Sequence, residues 1–339
     1  MSVLLVDGDN LLTIGFYGVK NYFYKGNHIG GIYHFLNTLR KSFEQYNLNK
    51  IVVFWDGENA SYSRRKIYSN YKLNRHSREK TEDELNSYNY QRNRIKQYLE
   101  EVYVRQGEYE YCETDDCIAY YSQKSTDEEI IIYSSDGDLL QLMSDRIKIY
   151  NPGKNKIVKN GDIYNFKKED ILVENVILAK MLCGDNSDNF YGIKSFGIKT
   201  LIDIFPEIKK EKLSLEYILN KSKELFEKDK YNNKLANLIT GVTKEGVFGD
   251  EFYEVAKKVL FLNTPILTDE AKEQIDLLIH EKLDPEGRSY KNTMKMMMQD
   301  GLFTILPKYD DAWLNFLLPF LKLTTKEKNK KTIKIKNNE

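Results

Sequence analysis

The chain has 339 residues, 41% hydrophobic and 30% charged, with 51 Lys and Arg balanced by 51 Asp and Glu. That composition suits a folded chain of about two domains and argues against bulk disorder. Three cysteines (Cys112, Cys117 and Cys183) and four dispersed histidines argue against a disulfide scaffold or a structural zinc site, so a metal here would be held by carboxylates and the expected compartment is the reducing cytoplasm.

In chain order, the first apolar run, Val3 to Val6, ends in Asp7 and is far too short for a signal peptide or a membrane span. Ile32, Phe35, Leu36, Leu39 and Phe43 then form a helical stripe, and Ile51 to Trp55 forms a second apolar run ending in Asp56. A second helical stripe, Ile95, Tyr98, Leu99 and Val102, precedes the acidic stretch Glu113-Thr114-Asp115-Asp116. The third apolar run, Ile130 to Tyr133, leads into Ser134-Ser135-Asp136. All three runs are continuously apolar, as expected of strands buried on both faces of a parallel sheet. Strands alternating with helices predict a doubly wound α/β core, whose ligands bind beyond the carboxyl ends of the strands. After about residue 165 the β signal fades. Asp170 to Leu182 reads as a helix, a loop follows through Gly192 and Gly197, and amphipathic stretches continue to about Lys322. Trp313, Phe316, Leu317 and Phe320 fall at helical spacing and read as core, while Thr324 to Glu339 is Lys/Asn-rich and reads as a flexible tail.

Zero net charge hides a segregated distribution. Ser61 to Lys80 carries seven basic residues against one acidic, and Lys322 to Glu339 seven against two, leaving the remainder acidic. Basic stretches beside an acidic remainder suit a polyanion held next to a carboxylate metal site. Nine carboxylates stand out by position: Asp7, Asp56, Glu113, Asp115, Asp116, Asp136, Asp138, Asp185 and Asp188. Singly, each has an ordinary explanation as a turn or a helix-capping residue. Gathered in one crevice, they would repel one another and raise their own pKa values unless cations neutralised them. All-oxygen ligands select Mg²⁺ or Mn²⁺, and so many carboxylates suggest two ions, the arrangement that supports in-line hydrolysis of a phosphoester.

The sequence also resembles the flap endonuclease/5′-to-3′ exonuclease family, which includes the 5′-nuclease domain of bacterial DNA polymerase I and the bacteriophage enzymes called ribonuclease H. The resemblance rests on Asp7-Gly8-x-Asn10, Asp56, Arg64 with Tyr71-Lys72-x-Asn74-Arg75, and Glu113-x-Asp115-Asp116. It continues with Ser135-Asp136-Gly137-Asp138, Gly184-Asp185-x-Ser187-Asp188-Asn189 and Gly192-Ile193-x3-Gly197-x-Lys199-Thr200. It covers residues 1 to about 205, and beyond them only helical character and length are similar.

The resemblance implies a PIN-like 5′-nuclease core over residues 1–165, with a central, mostly parallel sheet flanked by helices and a candidate arch at 76–106. It implies a helical DNA-binding region over 166–322, with a helix-turn-helix variant at 184–205, ahead of the 323–339 tail. The implied activity is a metal-dependent 5′-to-3′ exonuclease and flap endonuclease with RNase H activity. It would remove RNA primers and 5′ flaps in replication, and the chain is expected to be phage-encoded and to work in the host cytoplasm. Asp7, Asp56, Glu113 and Asp115 would hold a first ion, and Asp116, Asp136, Asp138, Asp185 and Asp188 a second. Lys72 and Arg75 would contact the scissile phosphate, with Asp136 counted among the catalytic residues. Arg64 is expected two helical turns before Lys72 on the same face, and Tyr71 would stack on a terminal base or simply pack. Gly192, Lys194, Gly197, Lys199 and Thr200 would grip duplex phosphates, and the same loop would bind K⁺. Here the sequence departs from the common pattern, with Tyr191 where Pro is usual and Ser195 where Gly is common. Expected partners are DNA and RNA–DNA hybrids with free 5′ ends, together with a single-stranded-DNA-binding protein; a monomer with no membrane association is expected.

Two rival readings use some of the same residues. In a haloacid-dehalogenase-like phosphatase, Asp7 would be the nucleophile and Asp9 the general acid, leaving Glu113, Asp115, Asp116 and Asp138 without a role. In a catalytically silent nucleic-acid-binding module, the carboxylates would be structural. A third, an RNA-directed nuclease of the small PIN type, is disfavoured by the length and by the Gly192–Thr200 motif.

Overall fold

The computed structural model describes residues 2–74, 81–246, 249–280, 289–308 and 312–323. Its strands are β1 (Ser2–Asp7), β2 (Phe23–Tyr24), β3 (Asn27–His28), β4 (Lys50–Asp56), β5 (Arg105–Tyr109), β6 (Glu129–Tyr133), β7 (Ile147–Asn151), β8 (Lys156–Val158), β9 (Ile163–Phe166) and β10 (Glu169–Leu172). Its α-helices are α1 (Gly8–Gly18), α2 (Gly30–Tyr46), α3 (Tyr62–Ile67), α4 (Glu82–Glu101), α5 (Thr114–Lys124), α6 (Val176–Cys183), α7 (Ile198–Ile204), α8 (Leu215–Lys228), α9 (Asn233–Thr240), α10 (Asp250–Leu260), α11 (Asp269–His280) and α12 (Tyr290–Gln299), with residues 312–323 also helical. These elements form two compact units, neither contiguous in sequence. The first draws on Met1–Glu58, Lys80–Ser135 and Leu267–Glu339, the second on Asn59–Glu79 and Asp136–Ile266.

In the first unit the strand order is β5-β4-β1-β6, and each neighbouring pair is parallel. Val6 lies opposite both Val53 and Tyr133, so β4 and β6 flank β1 and all three finish at the same edge. Val3 to Val6 and Ile51 to Phe54 are buried, as their continuously apolar sequences require. Each such side chain stabilises the fold by about 1.5–3 kcal/mol relative to exposure. Helix α2 buries all five residues of its predicted stripe, and α4 buries Ile95, Tyr98 and Leu99. In the 312–323 helix Phe316, Leu317 and Phe320 are buried and Trp313 is half-buried, so the expected stripe is core at three of its four positions.

The second unit departs from expectation at its start. Asp170 to Leu182 is not one helix: β10 occupies Glu169–Leu172, a 3₁₀ turn follows at Val173–Asn175, and α6 begins only at Val176. The cause is an antiparallel hairpin that pairs Ile171 with Tyr164. Lys167 and Lys168 turn it with φ of 50° and 71°, the left-handed pair that matches strand twist. β7 and β8 form another antiparallel pair, after which α6 to α10 make the remainder helical. Among the described residues, no helix is long and apolar enough to cross a membrane. Cys112, Cys117 and Cys183 are free thiols.

Candidate metal centre

Strand ends position the first unit's carboxylates. Asp7 closes β1 and caps α1, its Oδ1 accepting from the Asn10 N–H at 3.0 Å, while Ser134 Oγ donates to its Oδ2 at 3.3 Å. Asn10 in turn exchanges hydrogen bonds with Ser135, which fixes the end of β6 beside the end of β1. Asp56 closes β4, and its Oδ1 accepts from the Thr114 N–H at 2.9 Å, at the first turn of α5. That brings Asp56 to the helix end that carries Glu113, Asp115 and Asp116. Glu113 and Asp116 are buried, an environment that favours a bound cation over bare like charges. Gly57 makes the approach possible, because a Cβ there would lie 1.7 Å from the Tyr109 carbonyl oxygen. Burial, followed by the charges of Cys112, Asp116, Asp56 and Asp115, pushes the Cys117 thiol well up, so three of these carboxylates act on one buried point.

Asp9 has a different place. Arg92 holds both its oxygens, at 2.7 and 3.2 Å, and also donates to the Asp56 carbonyl, while the Asp56 N–H donates to Asp9 Oδ2 at 2.9 Å. Asp9 and Arg92 therefore brace the end of β4. In the sequence Arg92 falls within the candidate arch, and nothing there marks Asp9 as its partner. Arg92, Arg94 and Lys96 lie on α4, whose ion pairs run to Asp9, Asp300 and Glu108 within the first unit. Residues 76–80 of the candidate arch lie outside the described residues.

In the second unit Asp138, Asp185 and Asp188 each offer an oxygen, and the three lie within 4.8 Å of one another. Asp136 joins them through the chain, its Oδ1 accepting from the Asp138 N–H at 2.9 Å. Burial first and then the Asp136 charge push the Asp138 carboxyl above the usual range. Burial works against the Asp185 carboxylate too, but the Lys180 charge and the Ser187 donors outweigh it and hold it below that range. Lys180, unremarked in the sequence reading, reaches Asp138 at 2.5 Å and Asp185 at 2.7 Å. Its one sequence signal is being the single charged residue of the helix Val176–Cys183. A largely buried, all-oxygen donor set of gathered carboxylates fits a hard divalent ion.

The basic segment is built against this cluster. Lys72 has a left-handed backbone (φ 55°), and its N–H donates to the Asp188 carbonyl at 2.9 Å. Asn189 Nδ2 donates to the Asn70 carbonyl and Asn74 Nδ2 to the Asn186 carbonyl, pinning 70–74 to the 184–190 loop. Arg64 is not a helical neighbour of Lys72, because α3 stops at Ile67. Arg64 is 4% exposed and donates through Nε to the Val259 carbonyl. Tyr71, 3% exposed, packs with its ring near the Arg64 guanidinium and the Lys72 ammonium, at 5.8 and 4.9 Å. The stacking role considered for Tyr71 has no exposed ring face to use, and the packing alternative describes it. Arg75 lies outside the described residues.

Past the cluster, Gly184 (φ 78°) and Gly192 meet backbone to backbone: a Cβ on Gly192 would lie 2.3 Å from the Gly184 nitrogen. Ser195 adopts φ 60°, the conformation for which glycine is the usual residue. Gly197 precedes α7, with Lys194 and Lys199 exposed and Thr200 partly so. The Lys194 N–H donates to the Val242 carbonyl at 2.8 Å and Asn237 Nδ2 donates to the Lys194 carbonyl at 3.1 Å.

The family described as 5′-3′ exonuclease, N-terminal resolvase-like domain, matches residues 2–172. A 5′-3′ exonuclease of Mycoplasmopsis pulmonis is 29% identical over 298 residues, spanning 85% of this chain and 91% of its own. The zinc-bound 5′-exonuclease of bacteriophage T5 shares the fold with a TM-score of 0.64 at 17% identity, over 83% of this chain and 99% of its own. A bacteriophage T5 flap endonuclease variant, solved with DNA and metal ions, gives 0.60 at 16% identity over 95% and 99%.

Proposed function

The chain belongs to the 5′-3′ exonuclease family and is a nuclease of that kind, and from that premise we propose a divalent-metal enzyme that hydrolyses phosphodiester bonds at 5′ ends and flaps of DNA. The observation that carries the metal reading is the triad of Asp138, Asp185 and Asp188, the last two buried and the first half-buried. We assign one Mg²⁺, with Mn²⁺ able to replace it, to that triad with Asp136. A second is assigned to Asp7, Asp56, Glu113 and Asp115, and Asp116 joins this set because it shares their unit and helix end. Such ions, when bound, neutralise gathered carboxylates, activate water and stabilise a leaving oxygen.

The protein's own residues supply the rest. Lys72, tied to the Asp188 loop, and Arg75 stabilise charge that develops on the scissile phosphate. Lys194, Lys199 and Thr200 contact duplex phosphates without reading sequence, beside Gly197, whose exposed backbone lets a phosphate approach, while Gly192 closes the loop against Gly184. K⁺ on the carbonyls of that loop belongs to the same proposal. Finer assignments rest on the family resemblance: RNase H activity with removal of RNA primers, a phage origin, a monomer acting in the host cytoplasm, and docking of a single-stranded-DNA-binding protein. The phosphatase reading requires Asp9 as a general acid, whereas Asp9 is held by Arg92 and by the Asp56 N–H. Cleavage of a 5′-labelled flap and of an RNA-primed duplex, with product lengths read in Mg²⁺ and in chelator, tests the proposal. Metal-dependent short 5′ products support it, and no cleavage of either substrate refutes it.

A further inference from the structure

Helix α6 (Val176–Cys183) is apolar except for Lys180, which is 6% exposed. Burying an ammonium is costly unless anions surround it. Here the anions are Asp138, on the 3₁₀ turn Asp138–Leu142, and Asp185, in the loop after α6. One cation thus joins two elements and touches two of the three carboxylates that lie within 4.8 Å of each other. Held between two carboxylates at 2.5 and 2.7 Å, the group is placed as an ammonium.

We propose that Lys180 is a positioning residue that stands in for a cation among these carboxylates, holding Asp138 and Asp185 together and competing with an incoming divalent ion, so that it sets how tightly the cluster takes its metal. The proposal rests on the reading of Asp138, Asp185 and Asp188 as a metal site. Without the ammonium the cluster would be one positive charge poorer and would bind a divalent ion more tightly. With it, the ligands are held near one another while the ion is away, and the ion is held loosely enough to exchange.

The test is calorimetric Mn²⁺ binding to the full chain and to Lys180→Met, Lys180→Arg and Asp188→Asn, with thermal unfolding of each variant to establish folding. Lys180→Met is expected to bind at least about tenfold more tightly at one class of site, as removing a like charge at contact distance implies, while Lys180→Arg stays close to wild type. Unchanged or weaker binding in Lys180→Met, alongside weaker binding in Asp188→Asn, overturns the role of Lys180 but not the metal site. Unchanged binding in Asp188→Asn overturns the metal site itself. If Lys180→Met does not fold, Lys180→Gln carries the same expectation and the same refutation.

Discussion

The Lys72 N–H donates to the Asp188 carbonyl at 2.9 Å, in a left-handed backbone conformation that seats this lysine against the carboxylate loop. The basic segment is therefore placed by main-chain geometry, with the Lys72 ammonium beside the Tyr71 ring at 4.9 Å, and the proposed role of that ammonium is to act on charge at the reacting phosphate. Lys72→Ala is expected to lower turnover by roughly 100-fold, the cost of losing one donor to developing charge, and to change substrate affinity only severalfold. Single-turnover cleavage set against a binding titration checks this. A larger loss in affinity than in turnover would make Lys72 a backbone-positioning contact.

Asp9 separates two chemistries. Arg92 grips both its oxygens, so Asp9→Asn weakens a charge-assisted pair and is expected to destabilise the fold by about 1–3 kcal/mol, with metal-dependent cleavage retained below the lowered Tm. Thermal unfolding and cleavage measured on one preparation check it. Loss of all hydrolysis at unchanged Tm would make Asp9 a reacting group.

Gly57→Ala tests how β4 delivers Asp56 to α5. The added methyl would meet the Tyr109 carbonyl at 1.7 Å, backbone against backbone. Overpacking of that kind is expected to cost about 3 kcal/mol or more, seen as a lower Tm together with weaker metal binding. An unchanged Tm would show that this edge yields freely.

Acid stability follows from Glu128, which accepts from Ser125 and Tyr121 and pairs with Lys50 at 2.9 Å. Burial raises its pKa, but those partners outweigh burial and hold it below its ordinary 4.5. A depressed folded-state value adds stability above the unfolded-state pKa, and that stability is lost as pH falls through the folded value. Urea midpoints at about pH 7 and about pH 3 are expected to differ less in Glu128→Gln than in wild type. Equal differences in the two proteins would remove the pair from the acid response.

Strands β1, β4 and β6 were legible because burial on both faces demands continuous apolar runs, whereas β5, with the sequence Arg105-Gln106-Gly107-Glu108-Tyr109, carries no such run. What stayed hidden depended on contacts between distant segments. Residues 170–182 carry a helical pattern, yet pairing of Ile171 with Tyr164 claims the first of them for a strand, and the Lys167-Lys168 turn lacks the usual Asn-Gly signal. Arg64 and Lys72 were read at helical spacing, but α3 ends at Ile67. Nothing local marks Asp9 as the partner of Arg92, 83 positions away, or Lys180 as the partner of Asp138. The acidic positions themselves could be read because their residue types carry the chemistry. Their partners could not, since a buried ion pair leaves only an isolated polar residue in an apolar stretch.

The most direct measurement of the central claim is release of 5′-labelled product from a flap substrate by wild type and by Asp185→Asn, each in Mg²⁺ and in excess chelator. Wild type is expected to release short products in Mg²⁺ alone, with Asp185→Asn slower by orders of magnitude while still binding the substrate. Wild-type turnover that persists in chelator, or full turnover in Asp185→Asn, would contradict the claim.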